Sequence, residues 1–203
     1  MLDNPQRDFR TTELDPDLLA TPFGIQTNWH VITGAPCSGK TTLIDQLADK
    51  GFRTVPETAR LYFEREKARG RTVNDVRKSA RTVERGLIDM QLKFELELRA
   101  IEVAFLDRGL PDSLTFCRTA GLNPNEFLSE CFRHRYASIF VLDRIPIQQD
   151  GIRIEDDAIA SLLDEWLARD YYALGYSVMR VPVLSPKERL AFVLERLSEQ
   201  GLI

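Results

Sequence analysis

The chain has 203 residues, of which 43% are hydrophobic and 29% are charged, and its formal net charge is −4. These values are typical of a single globular domain and are unlike those of basic proteins that coat nucleic acid. No apolar run approaches the roughly 18 residues that a membrane-spanning helix needs. The N-terminus has no signal segment, and the three cysteines lack pairing or metal spacing, so we expect a cytoplasmic protein.

The first 27 residues differ from the rest of the chain. They are polar, contain Pro5, Pro16 and Pro22, and show no sustained hydrophobic period. Such a composition is typical of a segment that is partly disordered or that lies along the surface of a domain. We therefore predict an N-terminal extension over residues 1–27 and one domain over residues 28–203.

From residue 28 onward, short apolar strands alternate with helices. Strands are predicted at residues 29–33, 52–56, 103–106, 138–142 and 177–181. Helices are predicted from about residue 43 to Gly51, from residue 57 onward, and as one long helix or two from residue 72 to about residue 100. Further helices are predicted after Pro111, around residues 159–167, and after Ser185, which forms a capping-box pattern with Glu188. Strands separated by helices pair in parallel, so their carboxyl ends should line one crevice of an α/β sheet.

The first predicted strand runs directly into a phosphate-binding pattern, G-x-x-x-x-G-K-[ST]. Its residues, with the following threonine, are Gly34, Ala35, Pro36, Cys37, Ser38, Gly39, Lys40, Thr41 and Thr42. A strand before and a helix after are the context in which this pattern binds a nucleoside triphosphate. Backbone N–H groups and the helix N-terminus would face the phosphates, Lys40 would reach the β and γ phosphates, and the Thr41 hydroxyl would bind Mg²⁺.

Charged residues also follow the next predicted strands. Asp107 comes after residues 103–106, where a carboxylate can bind Mg²⁺ or cap the next helix. Arg108 is a candidate for binding phosphate or the acceptor, with a surface ion pair as the alternative. Glu57 follows the second strand and is a candidate for accepting a proton from an acceptor hydroxyl, although a carboxylate also suits a helix N-terminus.

Residues 143–157 are too charged and irregular to belong to the core. They suggest either a solvated loop or a lid, in which Arg153 would stabilise charge that develops on a transferred phosphate. A second charged region, residues 60–85, contains nine basic and four acidic side chains, a local charge of +5. It predicts a solvated helical face or, alternatively, a surface for an anionic acceptor, RNA or an acidic lipid headgroup.

Together these residues resemble the AAA_28-type ATPase domain, which is related to the ribosylnicotinamide kinase domain. The matching segments are residues 34–42, 55–60, 106–112, 149–153 and 175–194. The resemblance implies a kinase-like P-loop NTPase fold with a five-stranded parallel sheet, an acid (here Glu57) that activates the acceptor hydroxyl, and a loop at residues 182–186 beside the nucleobase. Related kinases often carry Asp-x-Pro-Trp before the lid, whereas residues 143–147 read Asp-Arg-Ile-Pro-Ile, so the acceptor is expected to differ.

These observations predict a kinase-like phosphotransferase that uses ATP with Mg²⁺, or GTP as the alternative nucleotide. The acceptor would be a small nucleoside-like or nucleotide-like molecule. The catalytic residues would be Lys40, Glu57, Asp107, Arg108 and Arg153, with Thr41 and Asp107 holding the metal. Two alternatives are a slow ATP- or GTP-dependent switch and a kinase of polynucleotide 5′-hydroxyl ends. The sequence lacks the Asn-Lys-x-Asp motif of many GTPases, and few aromatic residues accompany the basic segment.

Overall fold

The computed structural model describes residues 12–72, 79–145 and 154–203, with the backbone alone for residues 154–158. The strands are β1 (Ile25–Gln26), β2 (Trp29–Thr33), β3 (Arg53–Val55), β4 (Ala104–Asp107), β5 (His134–Arg135), β6 (Ser138–Leu142) and β7 (Val178–Val181). The α-helices are α1 (Pro16–Leu19), α2 (Lys40–Asp49), α3 (Thr58–Ala68), α4 (Ala80–Leu96), α5 (Asp112–Thr119), α6 (Ile154–Ala173) and α7 (Pro186–Glu199). Two short 3₁₀ helices, Pro124–Glu126 and Leu128–Phe132, follow α5.

Five strands form a parallel sheet in the order β3-β4-β2-β6-β7. Strand β2 is central, and the chain first builds the β4 and β3 side before it crosses to β6 and β7. The carboxyl end of β2 therefore lies where the strand order reverses, which is the position at which open α/β sheets bind ligands. The predicted five-stranded parallel sheet is confirmed.

Helices cover both faces of the sheet because the strands are apolar on both sides. Along β2, Trp29 and Val31 point to one face and Ile32 points to the other, as the two-residue period of a strand requires. The first face packs against residues of α4, α5 and α6, such as Ile88, Leu114 and Tyr171. The opposite face packs against apolar residues of α2 and α7.

The sequence located both ends of each of the five strands to within one residue. Two strands, β2 and β6, have the predicted bounds, and the ends of the other three differ from the predicted positions by at most one residue. Gly51 follows α2 with φ 89°, and Ser185 and Glu188 form the predicted capping box at α7. Within the predicted stripe of α6, Leu163, Trp166 and Leu167 are buried, but Ile159 and Leu162 are exposed because they lie beyond the edge of the packed face.

Residues 12–27 pack against the domain. Leu14 is buried, Asp15 N–H donates to Asn125 Oδ1 at 2.9 Å, and β1 pairs in parallel with β5 to form a separate two-stranded sheet. The division of the chain at residue 27 remains a prediction. None of the helices that the structure describes is both long and apolar enough to cross a membrane.

Candidate active site

The phosphate-binding loop connects β2 to α2 through two glycines with positive φ. Gly34 has φ 142°, and a Cβ there would lie 2.7 Å from the Leu142 carbonyl oxygen. Gly39 has φ 88° and caps α2 without a side-chain hydrogen bond, so the first N–H groups of the helix are left for a ligand or solvent. Cys37 adopts φ 62° and is exposed. This backbone is suited to bind an anion, because the N–H groups at a helix N-terminus and the helix dipole both favour negative charge.

Lys40 folds back over the loop. Its Nζ donates to the carbonyl oxygens of Gly34 at 3.0 Å and Ala35 at 2.9 Å, and to Ser38 Oγ at 3.3 Å. Burial lowers the pKa of Lys40 to about 8, and the neighbouring Arg108 guanidinium acts in the same direction. The ammonium is therefore largely charged at neutral pH and lies within the loop that would hold phosphates.

Asp107 and Thr41 lie together beside the loop. Ile32 pairs with Asp107 across β2 and β4, and the Thr41 hydroxyl donates to Asp107 Oδ2 at 3.4 Å. Asp107 Oδ1 is buried without a hydrogen-bond partner among the residues that the structure describes. Burial raises the pKa of Asp107 to about 6. A buried carboxylate oxygen without a partner beside a hydroxyl fits Mg²⁺, which prefers oxygen ligands and needs few from the protein when phosphates supply others.

Arg108 directly follows β4 and connects the end of that strand to the phosphate-binding loop. It adopts φ 76°, and its guanidinium donates to Glu57 Oε1 at 3.1 Å, Asp112 Oδ1 at 3.0 Å and the Gly34 carbonyl at 3.2 Å. Asp112 is fixed in turn, because it accepts hydrogen bonds from Thr33 Oγ1 and from Tyr171 Oη at 2.6 Å. Glu57 thus has one oxygen held by a buried cation while its side chain remains partly exposed to the cavity.

One cavity of about 1000 Å³ joins these groups. Its lining includes Glu57, Arg108 and Asp112. It also includes six residues of the phosphate-binding segment 34–42, which are Pro36, Cys37, Gly39, Lys40, Thr41 and Thr42. Gly34, Ala35 and Ser38 shape the loop from beneath through the contacts of their carbonyl and hydroxyl oxygens. The carboxyl ends of β2, β3 and β4 therefore meet at this cavity, as the sequence predicted.

The fourth strand tip, at the end of β6, borders the loop from the side opposite β4, where Arg189 donates to the carbonyl oxygens of both Ser38 and Asp143. Asp143 follows β6 and pairs with Arg180 at 3.3 Å, on the other side of β2. Arg153 and the proposed lid around it fall outside the described residues, so that hypothesis stays a prediction. Of the described part of the lid segment, Ile145 reaches the cavity.

Five of the seven basic side chains that the structure describes within residues 60–85 form ion pairs within the protein. Arg60 contacts Glu64, Arg69 and Arg71 contact Glu66, and Arg81 contacts Glu126. Arg85 contacts both Asp89 and Glu130. These contacts favour the solvated helical face over a surface for RNA, because a cation already paired with a carboxylate adds less attraction for a phosphate backbone.

Sequence reasoning assigned no role to four residues that shape this site. Asp112 holds Arg108 from one helical turn away, and Gln91 accepts a hydrogen bond from Thr58 Oγ1 at 3.3 Å. Arg189 of α7 is buried and donates to the carbonyl oxygens of Ser38, Pro182 and Asp143. Glu84 lines the cavity from α4. For Glu84 a signal was present, since an acid stands between the apolar neighbours Val83, Leu87 and Ile88 of an amphipathic helix.

The profile of the AAA_28 family, described as an AAA domain, matches residues 29–189. The chain belongs to the AAA_28 family. Among curated proteins, none matches this AAA_28 chain. Together with the geometry of the loop, the family makes the chain a P-loop phosphotransferase or ATPase.

Several solved structures share the fold of this AAA_28 protein. The NadR protein in complex with NR is 22% identical with a TM-score of 0.62, and the alignment covers 85% of this chain but 51% of NadR. Deoxyadenosine kinase from M. mycoides is 18% identical (TM-score 0.58, covering 84% and 99%). Thymidylate kinase from Candida albicans is 12% identical (TM-score 0.58, covering 87% and 93%). At these identities the likeness shows a kinase-like P-loop NTPase fold.

Proposed function

We propose that this AAA_28 protein transfers the γ-phosphate of ATP to a hydroxyl group of a small, nucleoside-like or nucleotide-like molecule. One observation carries the proposal: the phosphate-binding loop and the Glu57–Arg108 pair line the same cavity. A triphosphate on the loop would place its γ-phosphate between Lys40 and this pair. The kinase-like fold and the names of the similar structures, which include nucleoside and nucleotide kinases, support this class of acceptor.

In this proposal each side chain has a distinct role. Lys40 leaves the loop carbonyls to neutralise the β and γ phosphates, and Arg108 adds positive charge beneath the loop. Glu57 orients the acceptor hydroxyl and accepts its proton, since Arg108 holds one carboxylate oxygen and leaves the other for the acceptor. Arg153 is retained as the proposed lid cation.

Thr41 and Asp107 would hold Mg²⁺ through the hydroxyl and the carboxylate oxygen that has no partner among the described residues. When bound, the metal would neutralise charge on the phosphate oxygens. ATP is the proposed nucleotide, with GTP as the alternative. We infer a cytoplasmic location, which the three free cysteines support.

Turnover of Mg²⁺-ATP by the purified chain, alone and with nucleosides, nucleotides, sugars and oligonucleotide ends, tests the proposal. Lys40→Ala serves as the blank. An acceptor that raises ATP consumption severalfold and is itself phosphorylated is the expected result. Tight nucleotide binding with slow hydrolysis that no acceptor stimulates would overturn the kinase and favour the switch.

Glu57→Gln provides the sharper test on the acceptor identified in this way. The amide can still bind Arg108 but cannot accept a proton, so we expect kcat to fall about 10²- to 10⁴-fold while the KM for ATP changes little. Glu64→Gln, on the exposed face of the same helix, is the matched control. Equal kcat values for the Glu57→Gln variant and the wild type would rule out Glu57 as the base.

A further inference from the structure

The cavity extends beyond Glu57 into an apolar chamber between α3, α4 and α5. Its walls are formed by Phe63, Val83, Leu87, Phe116 and Ala120. Two aromatic rings and aliphatic side chains suit a flat, weakly polar ring system better than a sugar or a phosphorylated group. The chamber therefore suits the ring of an acceptor better than its sugar or a phosphate group.

Glu84 lies in this apolar wall. It is 8% exposed, and none of the described residues forms a hydrogen bond or an ion pair with it. Burial raises the pKa of Glu84 to about 7. A buried carboxyl group without a partner costs stability, and a ligand that donates a hydrogen bond to it would recover that loss.

The spacing along α4 sets the size of the ligand. Gln91 lies beside the Glu57–Arg108 pair, because it contacts Thr58 Oγ1 at 3.3 Å and the Arg108 carbonyl at 3.4 Å. Glu84 precedes Gln91 by seven residues, which is two helical turns or about 10 Å along the axis. A molecule with its reacting hydroxyl at Glu57 and its far end at Glu84 would have about the length of a nucleoside.

The charges of the chamber disfavour an anionic ligand. Lys40 and Arg108 are the cations among the described lining residues, and Arg108 already contacts both Glu57 and Asp112. Arg81 and Arg85 flank Glu84 in sequence but pair with Glu126 and Glu130 outside the cavity. A phosphate at this end of the chamber would lie beside the Glu84 carboxylate, and neither Arg81 nor Arg85 lines the cavity to neutralise it.

We propose that Glu84 recognises the acceptor, and that the acceptor is an uncharged or cationic ring-bearing alcohol whose ring carries an amino group at the end remote from the reacting hydroxyl. A nucleoside whose base bears an amino group has this chemistry. This inference rests on the proposed phosphotransfer, and it narrows the acceptor from nucleotide-like to nucleoside-like.

Calorimetric binding near pH 8, with Mg²⁺ and a non-hydrolysable ATP analogue present, tests the inference without turnover. The probes form two matched pairs, cytidine with uridine and adenosine with inosine, in which an amino group replaces a carbonyl. CMP and AMP test the phosphorylated class. We expect at least one amino nucleoside to bind about tenfold or more tightly than its carbonyl partner and its monophosphate.

In Glu84→Gln the preference for the amino nucleoside should fall to within about twofold, because an amide both donates and accepts hydrogen bonds. Asp89→Asn, on the exposed side of α4, should keep the wild-type preference. The inference is overturned if no probe binds, if a monophosphate binds best, or if Glu84→Gln retains the preference. Selective binding here, without a phosphorylated product in the turnover assay, would refute the phosphotransfer and leave Glu84 as the residue that recognises a bound nucleoside.

Discussion

At the scale of single residues, Asp107 and Arg108 are neighbours in sequence that serve different parts of the site. Asp107 is the last residue of β4 and lies beside Thr41. The backbone then turns, with Arg108 at φ 76°, and the next side chain reaches under the loop to Gly34 and across to Glu57. A positive φ costs energy for any residue but glycine, so the surrounding contacts must stabilise it.

Glu84 gives a prediction for stability as well as for binding. Its folded-state pKa of about 7 lies above the ordinary 4.5, so ionising Glu84 opposes folding. The penalty is absent below about pH 4.5, grows as the pH rises and is complete above about pH 7. Since each pKa unit corresponds to about 1.4 kcal/mol, Glu84→Gln should be more stable than the wild type by up to about 3 kcal/mol at pH 8.

Urea unfolding of both proteins at pH 5 and pH 8 measures this difference. The gain in the free energy of unfolding should be present at pH 8 and small at pH 5. Asp89→Asn removes a carboxylate from the exposed side of the same helix and should show no such pH dependence. A gain of equal size at both pH values would mean that burial does not raise the pKa of Glu84.

At the scale of elements, α7 supports the phosphate-binding loop from a distance in sequence. Its capping box fixes the first turn, and Arg189 follows Ser185 by one turn. From there the guanidinium contacts the carbonyls of Ser38 in the loop, Pro182 after β7 and Asp143 after β6. One buried side chain thus binds the backbone of three loops that lie at the same edge of the sheet.

Arg189→Met should weaken nucleotide binding, because it leaves a loop carbonyl and two neighbouring carbonyls without their donor. Each lost hydrogen bond to a charged group is worth about 1.5–3 kcal/mol. We expect the KM for ATP to rise about tenfold or more and the protein to be less stable. Arg196→Met, near the exposed end of the same helix, is the control. A stability loss with an unchanged KM for ATP would show that Arg189 does not position the loop.

At the scale of the whole molecule, the N-terminal segment is joined to the side of the domain remote from α2. Phe23 packs on Phe132 and Tyr176 with ring centroids 5.1 and 5.5 Å away. The Thr12 carbonyl accepts from Arg118, which forms a buried pair with Asp170 at 2.5 Å. The segment therefore contacts α5 and α6, two helices that border or support the active-site cavity.

Leu14→Ala tests whether this segment belongs to the folded unit. Leu14 is 7% exposed and lies in the main core, so its truncation should lower the free energy of unfolding by about 2–5 kcal/mol. Leu96→Ala, at a side chain that is 77% exposed, should change it by less than about 0.5 kcal/mol. Equal effects of the two substitutions would mean that residues 12–27 are an extension without a stabilising role.

The sequence alone determined the family, the five strands and the residues at three strand tips. These signals are local: an apolar run, a glycine pattern and a charged residue directly after a strand can each be read within about ten residues. Parallel pairing then followed from the helices between the strands, and it placed Glu57, Asp107 and the loop at one edge.

Only the tertiary structure decided which distant side chains complete the site. Asp112 holds Arg108 with the help of Tyr171, 59 residues further along, and Arg189 reaches a loop 151 residues away. Glu84 became a candidate once α3 and α5 enclosed it on α4. Such contacts depend on how helices cross and which faces they bury, and no local sequence pattern specifies that packing.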